Sequence, residues 1–217
     1  MTIGRRRQRH PARVATAISL ITAALLGAAV VLDPAVAERL SREDDVVEWM
    51  QAGLFALAAV FALASAWATW RSGASPVLEI LITGMLTGLV IGELDLDKML
   101  LGRKIISTRF LVDGRVGLGW RALAGVAVGG PPVVLAIYAL RRRAELVRAI
   151  RRTLAEPGGQ ALLVGVVIFG LTEAFEKPLG RIPGLPKYFL EETFELIAGM
   201  WLSVGTYAHW RRGRVRP

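Results

Sequence analysis

Apolar runs long enough to cross a bilayer alternate along this chain with short, densely charged segments. Residues 46–70 hold a single charged side chain, Glu48. At 1.5 Å of rise per residue such a run, as a helix, exceeds the ~30 Å hydrocarbon core of a membrane. This segregation reconciles two facts that otherwise conflict. The chain is 53% hydrophobic, yet it carries 27 Lys+Arg and 18 Asp+Glu. A spanning helix satisfies all its backbone polar groups internally, which lipid requires. The expected fold is therefore all-α: a polytopic helical membrane protein, with residues 1–217 forming a single membrane domain.

Six segments qualify as spans: 14–32, 46–70, 77–92, 120–140, 161–177 and 189–210. The fifth is apolar only over 161–172. It approaches the ~20 residues a bilayer needs only if Glu173 and its neighbours lie within the membrane or at its edge. Residues 1–13 form a basic N-terminus, 141–156 a basic connection and 211–217 a basic tail. Within the connection, Leu146, Ile150 and Leu154 recur every four residues between arginines. That spacing predicts a short amphipathic helix on the membrane surface, suited to anionic lipids. At the start, Ala35-Val36-Ala37 before Glu38 has the form of a signal-peptide cleavage site. The preceding apolar run is longer than the ~7–15 residues of a signal peptide, which favours an uncleaved first span. Cleavage after Ala37 would leave five spans with the same orientation.

Lysine and arginine set that orientation. Clusters precede the first span, follow the second at Arg71, fill 141–152 and close the chain at 211–216. With six spans all four groups fall on one side, which should be cytoplasmic, with both termini inside. Every acid except Glu79, Glu145 and Glu156 then falls outside, as do all the lysines: Lys98, Lys104, Lys177 and Lys187. The predicted location is a bacterial-type cytoplasmic (inner) membrane. The net charge of +9 is explained by these flanking arginines, and no nucleic-acid-binding motif accompanies it. Nucleic acid is not an expected partner.

Other residue types exclude much chemistry. There is no cysteine, hence no disulfide, thiol nucleophile or thiolate metal site. His10 and His209 both stand beside terminal arginines, which leaves no imidazole for a zinc or haem site inside the bilayer. No Ser-His-Asp set, phosphate-binding loop or HExxH motif is present.

An internal echo is more suggestive. Glu93-Leu-Asp-Leu-Asp97-Lys98 leads to Gly102-Arg103, and Glu173-Ala-Phe-Glu176-Lys177 leads to Gly180-Arg181. Each is followed by a basic residue, an aromatic residue with leucine, an acid and another span. The pattern predicts a duplicated hairpin, residues 76–128 and 157–208, repeated in parallel topology. A second echo sets Asp44-Asp45-Val-Val-Glu48 against Glu191-Glu192-Thr-Phe-Glu195. Residues three and four apart share one helix face, so each motif places three carboxylates together.

A helix N-terminus favours acids, which explains Glu43, Asp44 and Asp45 without invoking function. The capping effect does not reach Glu195, about 13 Å into the sixth span if that helix begins at Pro186. Glu93 and Glu173 stand at helix C-terminal ends, where the dipole disfavours them. An acid near a membrane core is a candidate functional group. The candidate ion- or head-group-binding residues are therefore Glu93, Asp97, Lys98, Glu173, Glu176, Lys177, Glu192, Glu195, Arg109 and Arg181. Glu93, Glu173 and Glu195 are expected to meet in one outward-facing cavity with Lys98 or Lys177 in ion-pair reach. No catalytic residue is assigned. No cofactor is implied, although carboxylate oxygens would suit a divalent cation.

Gly84, Gly88 and Gly92, and again Gly125 and Gly129, are spaced for close helix contact. Trp49, Trp70, Trp120 and Trp210 are expected at the membrane interfaces, and Trp67 and Trp201 in packing. The expected function is binding or transport of a small ion or an anionic lipid head group. Two alternatives stand beside it: a structural subunit of a larger membrane complex, and a membrane-embedded enzyme acting on a lipid phosphate or ester. Expected partners are the lipid bilayer, anionic lipids on the cytoplasmic face, and a membrane protein or a second copy of this chain.

Overall fold

The computed structural model describes residues 10–32, 46–94, 98, 116–176 and 187–213. Seven helices lie within them: α1 (His10–Leu32), α2 (Val46–Arg71), α3 (Val77–Glu93), α4 (Leu118–Arg141), α5 (Arg143–Leu154), α6 (Pro157–Glu176) and α7 (Lys187–Gly213). The protein is all-helical over the described residues, as the apolar runs predict. Two stretches are long and apolar enough to cross a membrane, Val47–Arg71 and Leu118–Arg141. A third arises if α5 and α6, bent by 103° at their junction, count as one. The remaining expected spans fall short for identifiable reasons. α3 has 17 residues. α7 is long but carries Glu191, Glu192, Glu195, Arg211 and Arg212 within it.

Local chemistry explains the helix ends. α2 stops at Gly73, whose φ of 76° suits glycine because no Cβ opposes it. Gly73 N–H donates to the Trp70 carbonyl at 3.0 Å and Ala74 N–H to the Thr69 carbonyl at 3.2 Å. This paired return is a Schellman closure. Pro76 then fits the start of α3, where its missing N–H costs nothing. Pro157 opens α6 in the same way. α6 runs on to Glu176, so Glu173 and Glu176 belong to the helix.

α2 packs between α3 and α7, and α7 packs between α2 and α6. α1 lies against α7, and α4 touches the rest mainly through α3 and α5. The core gathers Phe55, Ala58 and Ala62 of α2, Leu86 of α3, Leu162 of α6 and Leu202 of α7. Phe169 meets Phe55 edge-on at 5.9 Å between ring centroids. The α2 positions recur three and four apart, as one buried helix face requires. The outer face of α4 is bare: Val126 is 70% exposed, with Leu118, Leu123 and Leu140 also exposed. An apolar face of that extent is stable against lipid but not against water.

The glycine ladders do not act as expected. A Cβ on Gly84 would meet Leu135, but Gly88, Gly92 and Gly129 have nothing within 4 Å. Close approach occurs instead between α6 and α7, where Gly158, Gly165 and Gly205 lie against the opposing helix. The predicted hairpins also pack differently, α6 and α7 closely, α3 and α4 slightly. Trp67 is not a packing residue. It is exposed, lies 5.1 Å from Trp70 and has the Arg71 guanidinium over its ring at 5.2 Å. A tryptophan–arginine stack of this kind suits the head-group level of a membrane.

Candidate functional site

Alternate helix directions collect like ends together. The start of α2, the end of α3, the end of α6 and the start of α7 form an acid-rich end. The opposite ends of these helices, with α5 and the end of α4, form an arginine-rich end.

At the acid-rich end, α3 closes on Glu93, with Leu94 N–H returning to the Val90 carbonyl at 3.1 Å. Glu195 stands eight residues into α7, about 12 Å along it. Thr172 of α6, whose hydroxyl donates to the Phe169 carbonyl at 2.6 Å, lies beside the Glu195 carboxylate. The charges that bear on it are themselves carboxylates, Glu93 first, then Glu192 and Glu191. Glu192 is bound from α2: fully buried Gln51 donates through Nε2 to the Glu192 carbonyl at 2.9 Å and to its Oε2 at 2.8 Å. Glu48 also lies within electrostatic range of Glu192. One helical turn spacing on α7 and an amide on α2 thus keep several acids at the same end of the bundle.

Glu93 and Glu192 thus lie within electrostatic range of Glu195. Lys98 is exposed. Glu173 and Glu176 lie in α6, but their side chains fall outside the described residues, as do Asp97, Arg109, Lys177 and Arg181. The capping sequence at Ser41–Asp44 also lies outside them. Among the described residues, no group of three or more His, Cys, Asp or Glu is arranged to hold a metal ion. Gln51 was not singled out from sequence. A lone amide in an otherwise apolar run, three residues after Glu48, was the available signal.

The arginine-rich end holds a cavity of about 1040 Å³ between the α2–α3 turn, α5 and the end of α7. Glu79 of α3 is 7% exposed and lines it. Thr69 Oγ donates to Glu79 Oε1 at 3.2 Å, and His209 Nε2 lies 3.2 Å from the same oxygen. His209 is thus engaged by a carboxylate on another helix rather than grouped with the terminal arginines. The rim carries two ion pairs, Arg142–Glu145 at 2.8 Å and Arg212–Glu156 at 3.3 Å. A hydrogen bond from Ser75, then Arg142, holds the Glu145 carboxyl below its usual range, and Glu145 raises Arg142 in turn. Arg148 and Arg152 complete the rim. The candidate residues named from the sequence belong to the opposite end. The signal lay in Glu79, Glu145 and Glu156, the three acids that break the charge pattern, and all three line this cavity.

Comparison with known proteins finds no matching family model, curated protein or solved structure.

Proposed function

We propose that this chain is a multi-pass protein of a bacterial-type inner membrane that binds and moves a small cation or proton at the acid-rich end. The reading takes six spans, both termini cytoplasmic and the acid-rich end outward. The arginine-rich rim at one end and the carboxylates at the other support that orientation. α3 is short for a span, which local bilayer thinning accommodates at modest cost. The hairpin duplication rests on the sequence match alone.

One observation carries the functional reading. Glu195 lies inside α7 among the charges of Glu93, Glu192 and Glu191, with Thr172 at its carboxylate. Like charges held together in a weakly polar setting repel strongly unless a cation or a proton intervenes. Such a cluster takes up a small positive ion and is ill-suited to an anion. The outer face of α4 favours a second reading, contact with another membrane subunit, because so little of α4 is covered by the rest of the chain.

The test is cation and proton flux in proteoliposomes, followed with internal dyes for H⁺, Na⁺ and K⁺. Glu195→Gln keeps the side-chain shape and removes the charge, and should lower flux at least tenfold. Glu93→Gln should shift its concentration dependence. Flux equal to that of empty vesicles, or unaltered by both substitutions, refutes the proposal. Because the chain lacks cysteine, single cysteines at the two ends report sidedness in the same vesicles.

A further inference from the structure

The cavity at the arginine-rich end shares no residue with the carboxylate cluster, and its chemistry is different. Its inner wall is short of donors. Glu79 Oε1 is bonded, but Oε2 is buried and has no partner among the described residues, and the same holds for His209 Nδ1. His209 Nε2 faces a carboxylate oxygen and so carries a ring proton, and in that single-proton tautomer Nδ1 is an acceptor. Buried polar atoms in folded proteins are nearly always paired. Two unpartnered polar atoms on one wall, a carboxylate oxygen and a ring nitrogen, mark a place that a ligand's donors fit.

The rim has the opposite character. Arg142 and Arg212 are matched by Glu145 and Glu156. Arg148 donates through Nε only to the Ala144 carbonyl at 3.2 Å, and Arg152 has no carboxylate partner among the described residues. The two stand one helical turn apart on α5, so their guanidinium groups share a face. Guanidinium forks suit phosphate oxygens. The surroundings of the cavity suit head-group depth. α5 turns by 103° from α6. At the same end, Trp70 lines the cavity and Trp67 stacks with Arg71. At about 1040 Å³ it is larger than a small metabolite needs.

We propose that this cavity binds a phosphoethanolamine head group, with the primary ammonium at Glu79 and His209 and the phosphate at Arg148 and Arg152. The ammonium supplies donors to the inner wall, and the phosphate meets two arginines that form no close ion pair with a carboxylate among the described residues. The head group can come from a membrane phospholipid or from the free compound. The size and surroundings of the cavity favour the lipid.

The full-length protein in nanodiscs of phosphatidylcholine, doped with either phosphatidylethanolamine or phosphatidylglycerol, provides the test. Lipid retained after detergent extraction is measured by native mass spectrometry, and soluble O-phosphoethanolamine is titrated separately. Phosphatidylethanolamine should be retained at least tenfold over both other lipids. Glu79→Gln, and Arg148→Ala with Arg152→Ala, should each remove that preference. Arg152→Ala alone lies on an exposed rim, so it still reads out the site if Glu79→Gln fails to fold. Binding of the soluble compound, lost in the same variants, would support the site with the free molecule as its ligand. Equal retention of phosphatidylglycerol, or unchanged preference in Arg152→Ala and the double variant, overturns the proposal.

Discussion

Replacing Gly205 by alanine should separate two of the most closely packed helices in the protein. An added Cβ would lie 2.7 Å from Leu162 Cγ, 2.8 Å from the Leu162 backbone nitrogen and 3.0 Å from the Gly158 carbonyl oxygen. The leucine side chain can rotate, but the two backbone atoms cannot. Relief to an ordinary contact requires α6 and α7 to part by roughly half an ångström, a gap that forfeits a quarter or more of each dispersion contact. A buried leucine makes ~40–60 such contacts of ~0.1–0.2 kcal/mol each. Loosening Leu162 and Leu202 then costs about 1–3 kcal/mol, the usual range for overpacking. Alanine returns up to ~1 kcal/mol through its better helix propensity. The net expectation is a loss of roughly 1–2 kcal/mol. Gly88→Ala has nothing within 4 Å to meet and should be neutral or stabilising. The assay is unfolding in mixed micelles with increasing denaturing detergent, followed by tryptophan fluorescence. If Gly88→Ala proves as damaging as Gly205→Ala, the close contact lies on the α3 ladder and the packing described above is wrong.

Gln51→Leu removes both hydrogen bonds to Glu192 while preserving volume. It should lower stability by about 0.6–2 kcal/mol, the range for buried polar contacts between helices in lipid, with Ser203→Ala at the lower end because it breaks one bond to the Leu54 carbonyl. Stability unchanged in Gln51→Leu would show the amide to be incidental. The Glu145 carboxyl is depressed in the folded state, so its contribution is present above the ordinary carboxylate range and is lost as the pH falls through the lower folded value. Hydrogen exchange over Arg143–Leu154, corrected for intrinsic rates, should therefore accelerate on acidification, and Glu145→Gln should flatten that response. Identical pH profiles in the two proteins would assign the change to another group.

The helical class was legible in the sequence because its cause is local. Apolar runs such as 46–70 leave no alternative in lipid, and Gly73, Pro76 and Pro157 mark their ends through backbone geometry alone. The amphipathic α5 was legible for the same reason, since Leu146, Ile150 and Leu154 set its apolar edge whatever lies nearby.

Tertiary structure alone decided which faces meet. A four-residue glycine spacing marks a smooth face but not its partner, so Gly88 and Gly92 lie open while Gly158 and Gly205 carry the contact. Gln51 joins Glu192 across 141 positions of chain, a pairing that no local rule encodes. His209 and Glu79 are 130 positions apart, and only the antiparallel placement of α3 and α7 brings them together. Charge patterning located acids at the ends of helices. The lateral arrangement of helices then determined which of those acids share a cavity, because side-chain interactions act over a few ångströms and the sequence orders residues only along the chain.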